Sequence, residues 1–252
     1  MEASGKGSSP SDVFRRIATL AVLATASAAL VQCTSAPPPP PATSPPSVAR
    51  PSPSFPAPPS ASAPPAPAAA TVHPVTAAEL GASWRPGCPV EPGRLRRVEI
   101  NYIGFDGQTH RGELIVHEDI VVEVIAIFEQ LHRLRYPIEK IRTVDRYPAA
   151  DDELSMEDNN TSAFNCRDIP GTGRWSQHAY GRAIDLNPLL NPYIARAGAF
   201  QPKNAGPYLD RSRIDPGLLH DGDPAVHIFT DGGWRWGGYW RTPIDYQHFE
   251  RP

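Results

Sequence analysis

The chain has 252 residues, with 24 basic and 27 acidic side chains and a net charge of −3. So even a balance supplies no basic face, and it excludes nucleic acid as a partner. About half of the 31 prolines fall between Pro37 and Pro67 among Ala, Ser and Thr, a composition that cannot bury a core.

The N-terminus sets the compartment. Arg15 and Arg16 precede an uncharged apolar run from Ile17 to Val31, the pattern of a secretory signal and too short for a stable span. Residues 1–33 are therefore read as a signal. Two endings stay open: cleavage after Ala28, which follows Ala26-Ser27, or lipidation at Cys33 after Leu30-Val31-Gln32. Gln32 departs from the small residue that a lipobox wants. Export to the cell envelope or beyond is the expected fate, with membrane contact only through the signal or a lipid anchor. Residues 34–71 read as a Pro/Ala/Ser linker, which in an extended polyproline form would reach on the order of 100 Å. Residues 72–252 are the size of one domain, expected to act as a monomer. In an oxidising compartment, Cys88 and Cys166 are expected to form a disulfide. The alternative makes Cys166 a metal ligand beside His178.

In chain order, Thr76 to Leu80 opens the domain with a short helical signal. Arg96–Tyr102 and Gly112–His117 read as two strands around a turn at Asp106-Gly107. From Glu118 to Arg135 the period becomes helical, with Val121, Val124, Ile125, Phe128, Leu131 and Leu134 on one face and Pro137 stopping the run. Ile138–Val144 reads as a strand and Asp151–Thr172 as a long polar loop. Arg182–Asn187 returns to strand, and Asn191–Asp223 is irregular. A helix over Ala225–Thr230 and strands near Trp234–Trp236 and Tyr246–Glu250 finish the chain. The fold class is α+β, a small and largely antiparallel sheet with packed helices.

Two stretches carry chemistry: Ser176-Gln177-His178-Ala179-Tyr180-Gly181-Arg182-Ala183-Ile184-Asp185, and Asp245-Tyr246-Gln247-His248 after the Trp- and Gly-rich segment 234–240. Two imidazoles and a carboxylate, His178, Asp185 and His248, are a ligand set for catalytic Zn²⁺. Bound zinc acidifies water and polarises a carbonyl, and Asp245 is spaced to take the proton. The remaining histidines, His73, His110, His117, His132, His220 and His227, read as surface or loop residues. Trp236, Trp240 and Tyr246 would either line a substrate groove or pack beneath the site. An acidic cluster at Asp151, Asp152, Glu153, Glu157 and Asp158 lacks the spacing and glycine of an EF-hand calcium loop.

These motifs resemble the zinc D-alanyl-D-alanine carboxypeptidases and their relatives, the D-Ala-D-Ala dipeptidases and the phage L-alanyl-D-glutamate endolysins. The shared pattern is Ser-x-His-x-x-Gly-x-Ala-x-Asp, followed later by an acid, two residues and His. Here it is met by Ser176, His178, Gly181, Ala183, Asp185, Asp245 and His248, and the resemblance runs from about Trp84 to Phe249. It implies a Hedgehog/D-Ala-D-Ala peptidase-like fold, zinc on His178, Asp185 and His248, and Asp245 as general base. In Asn160–Arg167, which matches a further family segment, it implies Arg167 as the residue that holds a substrate carbonyl or carboxylate. The alternative for Arg167 is an ion pair with Asp168 or the 151–158 cluster. The implied activity is hydrolysis of peptidoglycan stem peptides, as a D,D-carboxypeptidase or a related endopeptidase. A zinc-containing wall-binding module without catalysis is the alternative from a different class. Retention of Asp245 and Arg167 favours the enzyme.

Overall fold

A computed structural model describes residues 68–252. The expected signal, Cys33 and all but the end of the linker lie outside the described residues. Strand β1 (Thr71–Pro74) leads to helix α1 (Ala77–Leu80), where Thr76 and Glu79 form a reciprocal capping box. Two nine-residue strands follow, β2 (Leu95–Ile103) and β3 (Thr109–His117). They form an antiparallel hairpin with β1 on its outer edge. Gly107 sits at φ 73° in the connecting loop, a conformation that favours glycine.

Helix α2 (Val121–Leu134) lies on this hairpin and buries Val121, Val124, Ile127, Phe128 and Leu131. The apolar stripe differs from the expected face at two places. Ile127 is buried where Ile125 is only partly so, and Leu134 is 42 % exposed. The helix ends at Arg135, in the left-handed region at φ 58°. Pro137 bars helical geometry at Tyr136, so the turn must close one residue earlier.

Strand β4 is only Lys140–Ile141, shorter than the expected Ile138–Val144. Ile138 donates its N–H to Ile103 at the end of β2, and Ile141 then crosses over Gly112 of β3. The chain leaves the sheet directly afterwards. Helix α3 (Asp152–Glu157) occupies ground read from the sequence as loop. The acidic cluster is its start: Asp151 caps the Leu154 N–H, and Asp152 and Glu153 lie in the first turn, where carboxylates favour a helix. Beyond it come β5 (Asn160–Thr161), parallel to β4, and the β6 (Asp168–Ile169) and β7 (Arg174–Trp175) pair.

The remaining strands are β8 (Ala183–Asp185), β9 (Tyr193–Ile194), β10 (Phe200–Gln201), β11 (Arg235–Trp236), β12 (Ile244–Asp245) and β13 (His248–Glu250). Helix α4 (Pro224–Thr230) packs near α2. The expected single sheet is thus several small ones, in the orders β1-β2-β3, β11-β13-β8 and β10-β9-β12 with two strand pairs besides. Among these strands all pairings but β4–β5 are antiparallel. Prolines at 192 and 202 remove ladder donors directly beside β9 and β10 and help to keep these strands to two residues.

One core joins the hairpin, α2, α4 and the β11-β13-β8 sheet. Phe128, Phe229, Ile184, Leu186 and Phe249 lie fully buried at its centre. Burial of such a side chain contributes about 1.5–3 kcal/mol. A second cluster, with Leu80, Leu95, Ile115 and Phe164, contains Cys166. The disulfide Cys88–Cys166 is present, so Cys166 is not a metal ligand.

Candidate metal centre

The Ser176–Asp185 stretch folds as a tight turn, Gln177–Tyr180, running into β8. The Ser176 hydroxyl accepts from the His178 N–H at 3.3 Å and opens the turn. Gly181 closes it at φ 68°, and a Cβ there would stand 2.8 Å from the His117 nitrogen. Ala183 and Ile184 are wholly buried, and Asp185 ends the strand. Across the β8–β13 pair, His248 stands directly opposite Asp185. Strand register therefore brings two of the three residues together, and the turn carries in the third.

His178, Asp185 and His248 are 2, 4 and 6 % exposed. His178 Nε2 lies 3.1 Å from Asp185 Oδ2 and 3.1 Å from His248 Nδ1, and His248 Nδ1 lies 3.0 Å from Asp185 Oδ1. Among the described residues this is the group whose ligand atoms could converge on a metal. Bond lengths of about 2.0–2.1 Å around a tetrahedral zinc put its ligand atoms about 3.3 Å apart, close to the spacings here. The outer nitrogens are also engaged. His178 Nδ1 donates to the Ala163 carbonyl, which leaves Nε2 bare for a metal, and His248 Nε2 faces Glu250 Oε2 at 3.4 Å. A buried set of two imidazoles and one carboxylate, with both rings oriented from behind, fits Zn²⁺.

The segment upstream supports this arrangement. Ser162 and Asp185 exchange backbone hydrogen bonds at 3.1 and 2.9 Å, and the Asn165 N–H binds the His178 carbonyl at 3.2 Å, so this segment is tied to β8 and to the His178 turn. Arg167 pairs with Asp152 of α3 at 2.9 Å, so the ion pair with the acidic cluster is realised at Asp152. It does not remove the guanidinium from the centre. Burial alone would lower the Arg167 pKa, but the charges of Asp152, Asp185 and Asp245 raise it above the ordinary value. Its Nε is buried and has no protein partner. Two other acids of the cluster also have partners: Asp158 binds Lys140 at 2.6 Å and Tyr147 at 2.7 Å, and Glu153 Oε1 accepts from the Lys203 N–H at 2.7 Å, while Glu153 Oε2 is buried without one.

Asp245 sits on β12 opposite Tyr193 of β9, with its Oδ1 buried and unpartnered. Loss of water pushes its pKa up to about 7, with the Asp185 charge adding to the rise and His248 and Arg167 opposing it. A carboxyl poised near neutrality suits proton transfer. Burial disfavours a charged His248, but hydrogen bonds to Asp185 and Glu250 outweigh it and raise its pKa to about 10; a cation bound at Nδ1 would displace that proton and leave the neutral ring. Asp185 moves the other way: desolvation is more than offset by the two histidines, which hold it well below the usual carboxylate range.

The aromatic residues divide. Trp236 is 2 % exposed, donates to the Tyr246 carbonyl at 2.8 Å and stacks on Phe249, which makes it packing. Trp240 is half-buried with its ring 5.5 Å from that of His248. Tyr246 is covered by the Arg211 guanidinium at 4.3 Å. Gly237 lets the backbone pass Asp245, whose carbonyl oxygen would stand 2.6 Å from an added Cβ. Of the histidines read as surface or loop residues, His117 is instead buried at 8 %, because its backbone N–H binds Gly181 and its ring meets Arg182.

Glu250 and the Ala163 carbonyl are absent from the sequence expectations, whereas Asp152 belongs to the acidic cluster expected as an alternative partner of Arg167. Glu250 had a signal, since residues two apart on a strand share a face with His248. A backbone carbonyl leaves no trace in side-chain pattern.

Residues 170–251 match a family model described as D-alanyl-D-alanine carboxypeptidase. The matched stretch contains His178, Asp185, Asp245 and His248, and Arg167 lies just before it. Comparison with curated proteins and with solved structures gives no match.

Proposed function

We propose that this protein is an exported zinc peptidase that hydrolyses peptide bonds in peptidoglycan stem peptides. The observation that carries the proposal is the buried triangle of His178, Asp185 and His248, with ligand atoms 3.0–3.1 Å apart. The family match over 170–251 supports a peptidase and supports cell-wall peptides as its substrate class.

In this reading His178 Nε2, His248 Nδ1 and an Asp185 oxygen would hold the ion. Zinc at such a set supplies an acidified water and a Lewis acid for the scissile carbonyl. Asp245, whose buried Oδ1 has no protein partner, accepts the proton of the attacking water and returns it to the departing amine. Arg167, steadied by Asp152, offers a charge-assisted donor to the oxygen on which negative charge grows, or to a terminal carboxylate. The half-buried Trp240 presents an apolar wall beside His248. The Arg15–Val31 signal and the proline-rich linker would deliver the domain to the wall on a tether.

Mass spectrometry of purified peptidoglycan fragments, incubated with the zinc-loaded full chain, tests the proposal. Loss of one alanine from pentapeptide stems establishes a carboxypeptidase, and cuts within the stem or cross-link an endopeptidase. Unchanged fragments from a zinc-containing protein would refute hydrolysis and leave a wall-binding module.

A further inference from the structure

The two candidate imidazole ligands face the centre with different nitrogens. His178 presents Nε2 and His248 presents Nδ1. The outer nitrogen of His178 is engaged by a backbone carbonyl, whereas that of His248 meets a side chain, Glu250, at 3.4 Å. The strand puts Glu250 there, because positions 248 and 250 of β13 project on the same face. Its neighbour across β8 is Ala183, fully buried, which puts only a methyl group on that position. The carboxylate thus has room to lie along the strand toward the ring. On the other side, Glu250 is in register with Arg235 of β11, a cation beside an anion.

A neutral imidazole carries one N–H. An acceptor at Nε2 draws the hydrogen there and leaves Nδ1 bare toward Asp185. We propose that Glu250 is a positioning residue of the metal centre: it accepts the Nε2–H of His248 and so fixes the tautomer and ring orientation in which Nδ1 binds the ion. The inference rests on the zinc reading and extends it to a residue that touches neither metal nor substrate. Partners of this kind are worth about 10–100-fold in metal affinity.

The test is zinc affinity by competition with a chromophoric chelator, on the full chain, for wild type, Glu250→Ala and Glu250→Gln, with circular dichroism recorded for each. Glu250→Ala should bind zinc about 10–100-fold more weakly. Glu250→Gln keeps an oxygen that accepts the Nε2–H and should stay close to wild type. Cobalt substitution adds a readout that a merely structural role would not move. The visible bands of Glu250→Ala should differ from wild type, and those of Glu250→Gln should match it. If Glu250→Ala does not fold, Glu250→Leu, which fills similar space but has no acceptor, takes its place with the same expectation. Equal affinities across the set would overturn the role of Glu250 and leave the zinc site standing. A wild-type chain that binds no zinc would overturn the zinc reading and this inference with it.

Discussion

Reduction of the Cys88–Cys166 bond removes one covalent constraint whose weight can be worked out. The bond closes a loop of 78 residues in sequence separation. On the chain-entropy account, opening such a loop returns about 15 cal/mol/K to the unfolded chain, or about 4.5 kcal/mol at 25 °C. Relaxation of the reduced native state brings the expected loss into the range of roughly 2–4.5 kcal/mol. Its site also fixes what should loosen. Cys166 lies in the second cluster with Val75, Leu80, Val90 and Leu95, and its N–H binds the Ser83 carbonyl at 2.9 Å. The next residue is Arg167. Reduction should therefore free the segment around Cys88 and relax Arg167, while β8 and β13 keep Asp185 and His248 opposed. Urea unfolding followed by tryptophan fluorescence, with the thiols oxidised or reduced and blocked, gives the difference directly. A loss below about 1 kcal/mol would refute the entropic reasoning. Two titratable thiols in the untreated protein would refute the bond itself.

Other perturbations probe separate parts of the account. Asp245→Ala should retain zinc, measured by elemental analysis, while turnover of stem peptides falls by about 10²–10⁴-fold, the usual worth of a general base. Gly112→Ala should destabilise the domain by about 1–3 kcal/mol in thermal or urea melts, because its Cβ would stand 2.5 Å from Ile141 Cβ and 2.9 Å from the Ile141 carbonyl. Glu113 bridges Arg97 and Arg146: burial raises its pKa, but the two guanidiniums more than offset this and hold it below 4.5. A carboxyl depressed in the folded state stabilises above its unfolded pKa and loses that contribution as pH falls through the folded value. The stability gap between wild type and Glu113→Gln should thus be full at pH 7, shrink below about pH 4.5 and close at lower pH. A gap that stayed constant with pH would contradict it.

The convergence of His178, Asp185 and His248 was legible because each motif position has a physical task. Ser176 caps the turn, Gly181 supplies the left-handed residue, and Ala183 packs without a bulky side chain beside β13. Long-period elements were equally readable: α2 and the β2–β3 hairpin announce themselves by 3.6- and 2-residue repeats. The β9, β10 and β12 strands were not. Two residues show no period, and their pairing depends on where the loops between Asn191 and Asp223 return. Helix α3 was hidden because Asp151, Asp152 and Glu153 looked like a solvated charge cluster rather than a cap and first turn. Asp152 illustrates a partial reading. The sequence narrows the alternative partner of Arg167 to Asp168 or the 151–158 cluster, and only the fold singles out Asp152.

Release of alanine from pentapeptide stems, followed through chelation and zinc readdition with metal content measured at each stage, tests the central claim most directly. The account predicts one zinc per chain, loss of cleavage when the metal is withdrawn, return of cleavage on readdition, and neither zinc nor activity in His178→Ala. Cleavage that persists undiminished in the metal-free protein, or full zinc retention by His178→Ala, would contradict it.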